Sequence, residues 1–178
     1  MKNFKRITTV LVVLFSITAG ITFNSCNKYE EGPSFSLLSA TKRITGTWEL
    51  TETLLNDEVV DVNDMLDMFG EMPMDTSMSE FEFDISEITV NSVMLTFEKS
   101  GAGNLAVSIS YMMFPFTQNE SMTWTFDDDK ENVSITVMGD VQTFEIIRLT
   151  NKELWLRRVE TTGGVTNTTI MKAEKEED

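Results

Sequence analysis

From Gly46 onward apolar and polar residues alternate with a period of two, the spacing of a strand with one face in a core and the other in water. Trp48, Leu50 and Leu54 alternate with Glu49, Thr51 and Thr53, and an Asn56-Asp57 turn follows. Leu95 and Phe97 alternate with Thr96 and Glu98, after which residues 100–104, SGAGN, supply a turn. Leu105, Val107, Ile109 and Tyr111 alternate with Ala106, Ser108 and Ser110, the cleanest strand pattern in the chain. Met122, Trp124 and Phe126 alternate with Ser121, Thr123 and Thr125 up to DDDKEN, residues 127–132; Val133, Ile135 and Val137 then run to Gly139-Asp140. Residues 141–149 and 153–160 flank Thr150-Asn151-Lys152 as a hairpin, and Gly163-Gly164 leads into a last strand over 165–173. Phe81, Phe83 and Ile85 form a candidate additional strand.

Eight or nine strands at such short intervals leave no room for the dozen or more residues that a parallel return needs, so the sheet is predicted to be antiparallel. A meander that closes on itself removes its edges, which predicts an all-β, antiparallel up-and-down barrel; periodicity alone leaves a strongly bent open sheet or a sandwich as the alternative. Residues 37–44, LLSATKRI, predict a short N-terminal helix ending at about Gly46. The expected organisation is a leader over 1–25, an acidic tether over 26–36, a barrel domain over 37–174 and an acidic tail over 175–178.

The leader carries Lys2, Lys5 and Arg6 ahead of an apolar run over 7–21, the layout of an export signal. Its strongest part, residues 10–15, is far shorter than the ~20 residues of a membrane span, so cleavage is the expected fate. Cys26, the single cysteine, follows directly in FNSCNKYEEGP. Its neighbours form no apolar face, and the chain has no histidine to activate a thiol nucleophile. The stretch resembles a bacterial lipoprotein signal: Ser25 is the small residue before the cysteine, while Phe23 and Asn24 depart from the usual pattern. That resemblance implies acylation of Cys26 by palmitate-class chains and anchoring in the outer membrane. Each buried methylene contributes about 0.8 kcal/mol, so two or three chains hold where one would not. Lys28, Glu30 and Glu31 resemble the Lys-plus-acid signal that sends some Gram-negative lipoproteins to the cell surface; a plain acidic linker is the other reading.

Charge narrows the partners. The chain has 14 basic and 29 acidic residues, a net charge of −15, and removal of Lys2, Lys5 and Arg6 with the leader takes it to −18. Nucleic acid and anionic lipid surfaces need clustered Lys and Arg and are not expected as partners. One cysteine permits no internal disulfide, so stability must come from packing.

Two stretches resemble lipocalins. ITGTWEL, residues 44–50, carries a Gly-x-Trp signature at the start of the first strand, and FEIIRLTNKELWLRR, residues 144–158, is similar to the late hairpin of bacterial lipocalin-like lipoproteins. The resemblance implies that Gly46 and Trp48 close one barrel end, with Trp48 packed against a basic side chain from a late strand. Arg157 or Arg158 would fill that role through a cation–π contact of about 0.5–2 kcal/mol.

Residues 61–79, DVNDMLDMFGEMPMDTSMS, interrupt the strand rhythm with five methionines. Asn63 can cap a short helix that Gly70 ends, a helical lid insertion over the barrel mouth with adaptable Met side chains facing a ligand. A flexible loop, or Cu(I) binding by Met72, Met74 and Met78, are the alternatives, although the intervening carboxylates are hard ligands. YMMFPF, residues 111–116, predicts either a bulged strand end or a pocket rim, because Pro115 breaks a ladder. The candidate ligand contacts are thus Met65, Met68, Phe69, Phe97, Tyr111, Phe114 and Trp124. DDDKEN lacks the spacing of a calcium loop and reads as a solvated turn. No carboxylate pair, serine–histidine arrangement or phosphate loop stands out, so the expected function is non-catalytic, with no cofactor. A monomer binding a small hydrophobic or amphipathic ligand is expected; a solid barrel that engages an envelope protein or polysaccharide is the alternative.

Overall fold

A computed structural model of the chain describes residues 28–32, 36–61, 88–111 and 114–177. Among these residues one helix, α1 (Ala40–Ile44), precedes nine strands: β1 (Gly46–Leu55), β2 (Glu58–Val60), β3 (Ile88–Phe97), β4 (Ala102–Tyr111), β5 (Phe114–Phe126), β6 (Asn132–Val137), β7 (Asp140–Leu149), β8 (Glu153–Thr162) and β9 (Val165–Lys175). Every pairing is antiparallel, and β3 through β9 form consecutive hairpins. The end of β3 pairs with the start of β1, Gly46↔Phe97 to Glu49↔Met94. The other edge of β1 pairs with β9 from Trp48↔Lys175 to Leu55↔Thr169. That last ladder closes the sheet into an eight-stranded barrel and excludes the open sheet and the sandwich. Strand β2 is an extra, paired among the described residues only with the far end of β1.

Closure requires bending, and the ladders are interrupted between Leu50 and Glu52, Val90 and Ser92, and Ile146 and Arg148. An extra residue at each bulge turns the strand and shifts which parity faces inward. In β1 the buried positions accordingly change from Trp48 and Leu50 to Thr53.

The two ends of the barrel differ. Helix α1 and the turns at 98–101, 127–131 and 150–152 lie at the end where β1 starts, here termed the closed end. The tight turns Asn56-Asp57, Met138-Gly139 and Gly163-Gly164 lie at the other, the open end. These turns have positive φ at both central residues, 51° and 69° at Asn56-Asp57 and 61° and 85° at Gly163-Gly164, the twist that matches two flanking strands. Towards the closed end the interior is solid. Trp48, Phe97, Val133, Leu149, Leu154 and Leu156 are fully buried there, and Trp124 stacks edge-on against Phe97 (5.6 Å) and Phe126 (5.3 Å). The Trp124 indole N–H donates to Glu98 O and Ala102 O, both at 3.0 Å, pinning the 98–101 turn beneath it.

Several boundaries move from their expected places. The helix is five residues rather than eight, because Ser39 caps it by accepting from the Lys42 N–H at 3.2 Å. Strand β5 absorbs Pro115, since β6 is short and pairs with β5 only from Met122 on. Among the described residues, no strand pairs with that edge at Pro115, where a missing N–H costs nothing. Strand β9 runs two residues past 173 and takes in Lys175, which sequence alone assigns to the tail. The expected lid helix, its methionines and the candidate strand over 81–85 lie outside the described residues.

Candidate functional site

The closed end is built around Trp48, which has no solvent exposure. Its indole N–H donates to Ile44 O at 2.6 Å, tying β1 to the end of α1. Over its ring, 4.8 Å from the centroid, stands the ammonium of Lys175, which also donates to Arg43 O (2.9 Å) and Thr45 O (2.5 Å). Gly46 makes this possible: its φ is +129°, and a Cβ there would lie 2.5 Å from Lys175 Cε. The glycine of the Gly-x-Trp signature is the slot through which the lysine crosses.

This corrects the expected role of Arg157 and Arg158. Arg157 faces the outer wall, bound to Glu145 (2.9 Å) and Glu30 (2.8 Å), and Arg158 points into the barrel mouth. In β9, Met171 and Ala173 are buried and Lys175 continues their parity, so the last strand supplies the cation.

Residues 28–31 of the supposed tether are also part of the structure. Tyr29 is 2% exposed and belongs to the core cluster. Its hydroxyl donates to Lys130 O at 3.1 Å, and the Arg43 guanidinium lies 5.3 Å from its ring centroid. Burial pushes the Tyr29 phenol above its ordinary value, against the opposing pull of Arg43. Around it, Lys28 Nζ donates to Asp129 O at 2.5 Å, Glu31 N–H to Ile147 O at 2.7 Å, and Arg148 to Glu31 O at 2.5 Å. Ile147 sits at the β7 bulge, where its carbonyl is released from the β8 ladder and available to Glu31. Residues 28–31 thus form a strap fastened to the closed end and the adjoining wall.

At the open end the described residues leave space in the interior. A cavity of about 200 Å³ lies between β1, β7, β8 and β9, lined by Leu55, Gln142, Phe144, Arg158, Glu160, Asn167, Thr169 and Met171. Phe144 and Met171 are buried and form an apolar floor, while Glu160 and Asn167 are exposed at the rim. The Arg158 guanidinium donates to Gln142 Oε1 at 3.0 Å and pairs with Glu160. An apolar floor with a ring of hydrogen-bonding groups above it suits a molecule with one apolar and one polar end.

Of the sequence-predicted site residues only Arg158, expected to close the other end, lines this cavity, and none of the described candidate ligand contacts does. Phe97 and Trp124 are core side chains under 10% exposed, committed to each other. Tyr111 and Phe114 sit opposite each other at the open end of the β4–β5 hairpin, and Phe114 is 67% exposed. Met65, Met68, Phe69, Met72, Met74 and Met78 lie outside the described residues, as does Cys26. Among the described residues no three His, Cys, Asp or Glu side chains converge as a metal site would require. In DDDKEN, Asp127 instead caps its own turn, accepting from Glu131 N–H (2.8 Å), Asn132 N–H (3.1 Å) and Asn132 Nδ2 (2.7 Å).

A closed antiparallel eight-stranded barrel, plugged by a tryptophan at one end and hollow at the other, defines a calyx. The chain belongs to the lipocalin-like domain family, whose pattern matches residues 44–156. Among solved structures it is similar to bovine odorant binding protein in complex with undecanal, at 12% identity over 81% of this chain and 77% of that one, TM-score 0.40. It is also similar to the siderocalin Ex-FABP, at 10% identity over 75% and 74% of the two chains, TM-score 0.39. Among curated protein sequences none matches this chain.

Proposed function

We propose that the protein is a lipoprotein anchored through Cys26 in the outer membrane, and that its barrel mouth takes up a small hydrophobic or amphipathic molecule without transforming it. The observation that carries the binding role is the open-end cavity: Phe144 and Met171 below, Gln142 and Arg158 above. Its size sets the ligand class. About 200 Å³ exceeds the ~150 Å³ of an apolar cavity that holds benzene but falls short of the ~300 Å³ of sites for larger ligands. The part of the ligand seated in this cavity is therefore a single ring or a short chain, with the polar groups at the mouth above it. The anchoring role rests on the leader and on Ser25-Cys26, and a surface address on Lys28, Glu30 and Glu31.

Displacement of a bound fluorescent aromatic amine by alcohols and carboxylic acids of increasing chain length tests the first part. Saturable one-site binding, best for short chains and lost in Thr169→Trp, which fills the cavity, is expected. Non-saturable binding, or binding indifferent to that substitution, contradicts it. Metabolic labelling with a palmitate analogue tests the second, and label must be lost in Cys26→Ser.

A further inference from the structure

We infer that the anchored protein stands on its closed end, with the cavity mouth held away from the bilayer, so that ligand enters from the aqueous side and not from the lipid phase. The inference rests on the acylation of Cys26 proposed above and adds to it the fastening of residues 28–31. Lys28 is held at the closed end through its bond to Asp129 O, and Tyr29, next in sequence, is buried between α1 and the 127–131 turn. Only Asn27 separates Lys28 from Cys26. Two residues of chain reach at most about 7 Å, at 3.3–3.6 Å each. The barrel is far taller than that. Strands such as β4, β7 and β8 are ten residues long, which at about 3.3 Å per residue and a tilt near 40° gives a wall of roughly 25 Å from end to end.

An inverted protein would need its leash to span that whole wall, and two residues cannot do so. Nor does the wall have a reason to lie flat on anionic lipid, because the chain without its leader carries a net charge of −18, from −15 less Lys2, Lys5 and Arg6. The turn nearest the anchor, with exposed Asp127, Asp128 and Asp129, is itself acidic, so the closed end is tethered to the headgroups without adhering to them. The strap, not the linker composition, sets the orientation. A tether free from residue 26 to residue 36 would allow any pose.

The test uses the full-length acylated protein in phosphatidylethanolamine–phosphatidylglycerol vesicles containing a lipid with a spin-labelled headgroup, a short-range quencher. A fluorophore is attached through Asp128→Cys at the closed end or Val165→Cys at the open end, both exposed positions. Several-fold stronger quenching at 128 than at 165 is expected. Inserting about eight Gly and Ser residues between Asn27 and Lys28 lengthens the leash by roughly 15 Å without touching the strap, and should erase most of the difference. Equal quenching at the two sites, or stronger quenching at 165, in protein whose intact mass shows acylated Cys26 overturns the orientation while leaving the anchor standing. An intact mass without acyl chains overturns both.

Discussion

Lys175 and Trp48, 127 residues apart in sequence, face each other across the closed end of the barrel with the ammonium 4.8 Å from the ring centroid. The contact joins the first strand to the last at the end pair of the ladder that closes the sheet. Lys175→Met removes the cation–π contact and both bonds from the ammonium to Arg43 O and Thr45 O. The expected cost is about 2 kcal/mol, read as a lower urea midpoint at unchanged slope. Gly46→Ala should cost at least as much, since it combines a positive φ with a Cβ 2.5 Å from Lys175 Cε. A shift below about 0.5 kcal/mol in both variants would show that the plug does not depend on this pair.

Tyr29 should behave as a core residue. Tyr29→Phe keeps the ring and loses the bond to Lys130 O, for about 1 kcal/mol; Tyr29→Ala empties the site, for about 3 kcal/mol or more. Because the folded phenol titrates above its ordinary 10.0, the stability linked to it is complete below pH 10 and is lost as pH rises through the raised value. With Tyr111→Phe leaving Tyr29 as the sole tyrosine, the tyrosinate absorbance should appear only above pH 10, together with release of the strap. Titration at or below 10 would show that the strap is not docked.

Asp127 supplies the acid-side counterpart. Its side-chain bond from Asn132, followed by the backbone bonds, holds its carboxyl below the usual 3.8. A depressed carboxylate stabilises the fold above its unfolded value, and that contribution fades as pH falls from about 4 through the folded value. The group is exposed, so screening keeps the effect small. Melting temperatures of wild type and Asp127→Asn should converge as the pH drops below 4, and parallel pH profiles would exclude the cap as a contributor.

Arg158 should distinguish ligands by their polar end. Arg158→Leu removes the donor to Gln142 and Glu160 at the rim and leaves the Phe144–Met171 floor intact. Loss of a charge-assisted bond is worth at least about 1.4 kcal/mol, so affinity for a short-chain alcohol or acid should fall about tenfold while a wholly apolar probe binds as before. Equal loss for both ligand types would place the polar end elsewhere.

The barrel was legible because its hairpins are short and most strands keep strict alternation, and ITGTWEL marked the start of the first strand. What escaped depends on tertiary contact. Lys175 sits in KAEKEED, whose composition is that of a solvated tail, although its parity with Met171 and Ala173 carried the signal. Tyr29 is one aromatic residue among polar ones, so no periodicity announces its burial. Bulges near Thr51 and Ile147 shift the inward parity of β1 and β7, which conceals Leu55 as a cavity wall. Gln142 and Arg158, by contrast, share parity with buried Phe144 and Leu156. Polar residues appearing on an inward face were the readable sign of a hollow end.

The central claim is that the open end binds a small molecule on the floor formed by Phe144 and Met171. The most direct measurement is a methionine-methyl carbon-13 NMR titration with a short-chain alcohol, with the Met171 signal assigned by Met171→Leu. The account predicts that Met171 shifts saturably while Met122, buried in the solid half of the barrel, stays in place. A Met171 signal that does not move, or moves no more than that of Met122, would contradict it.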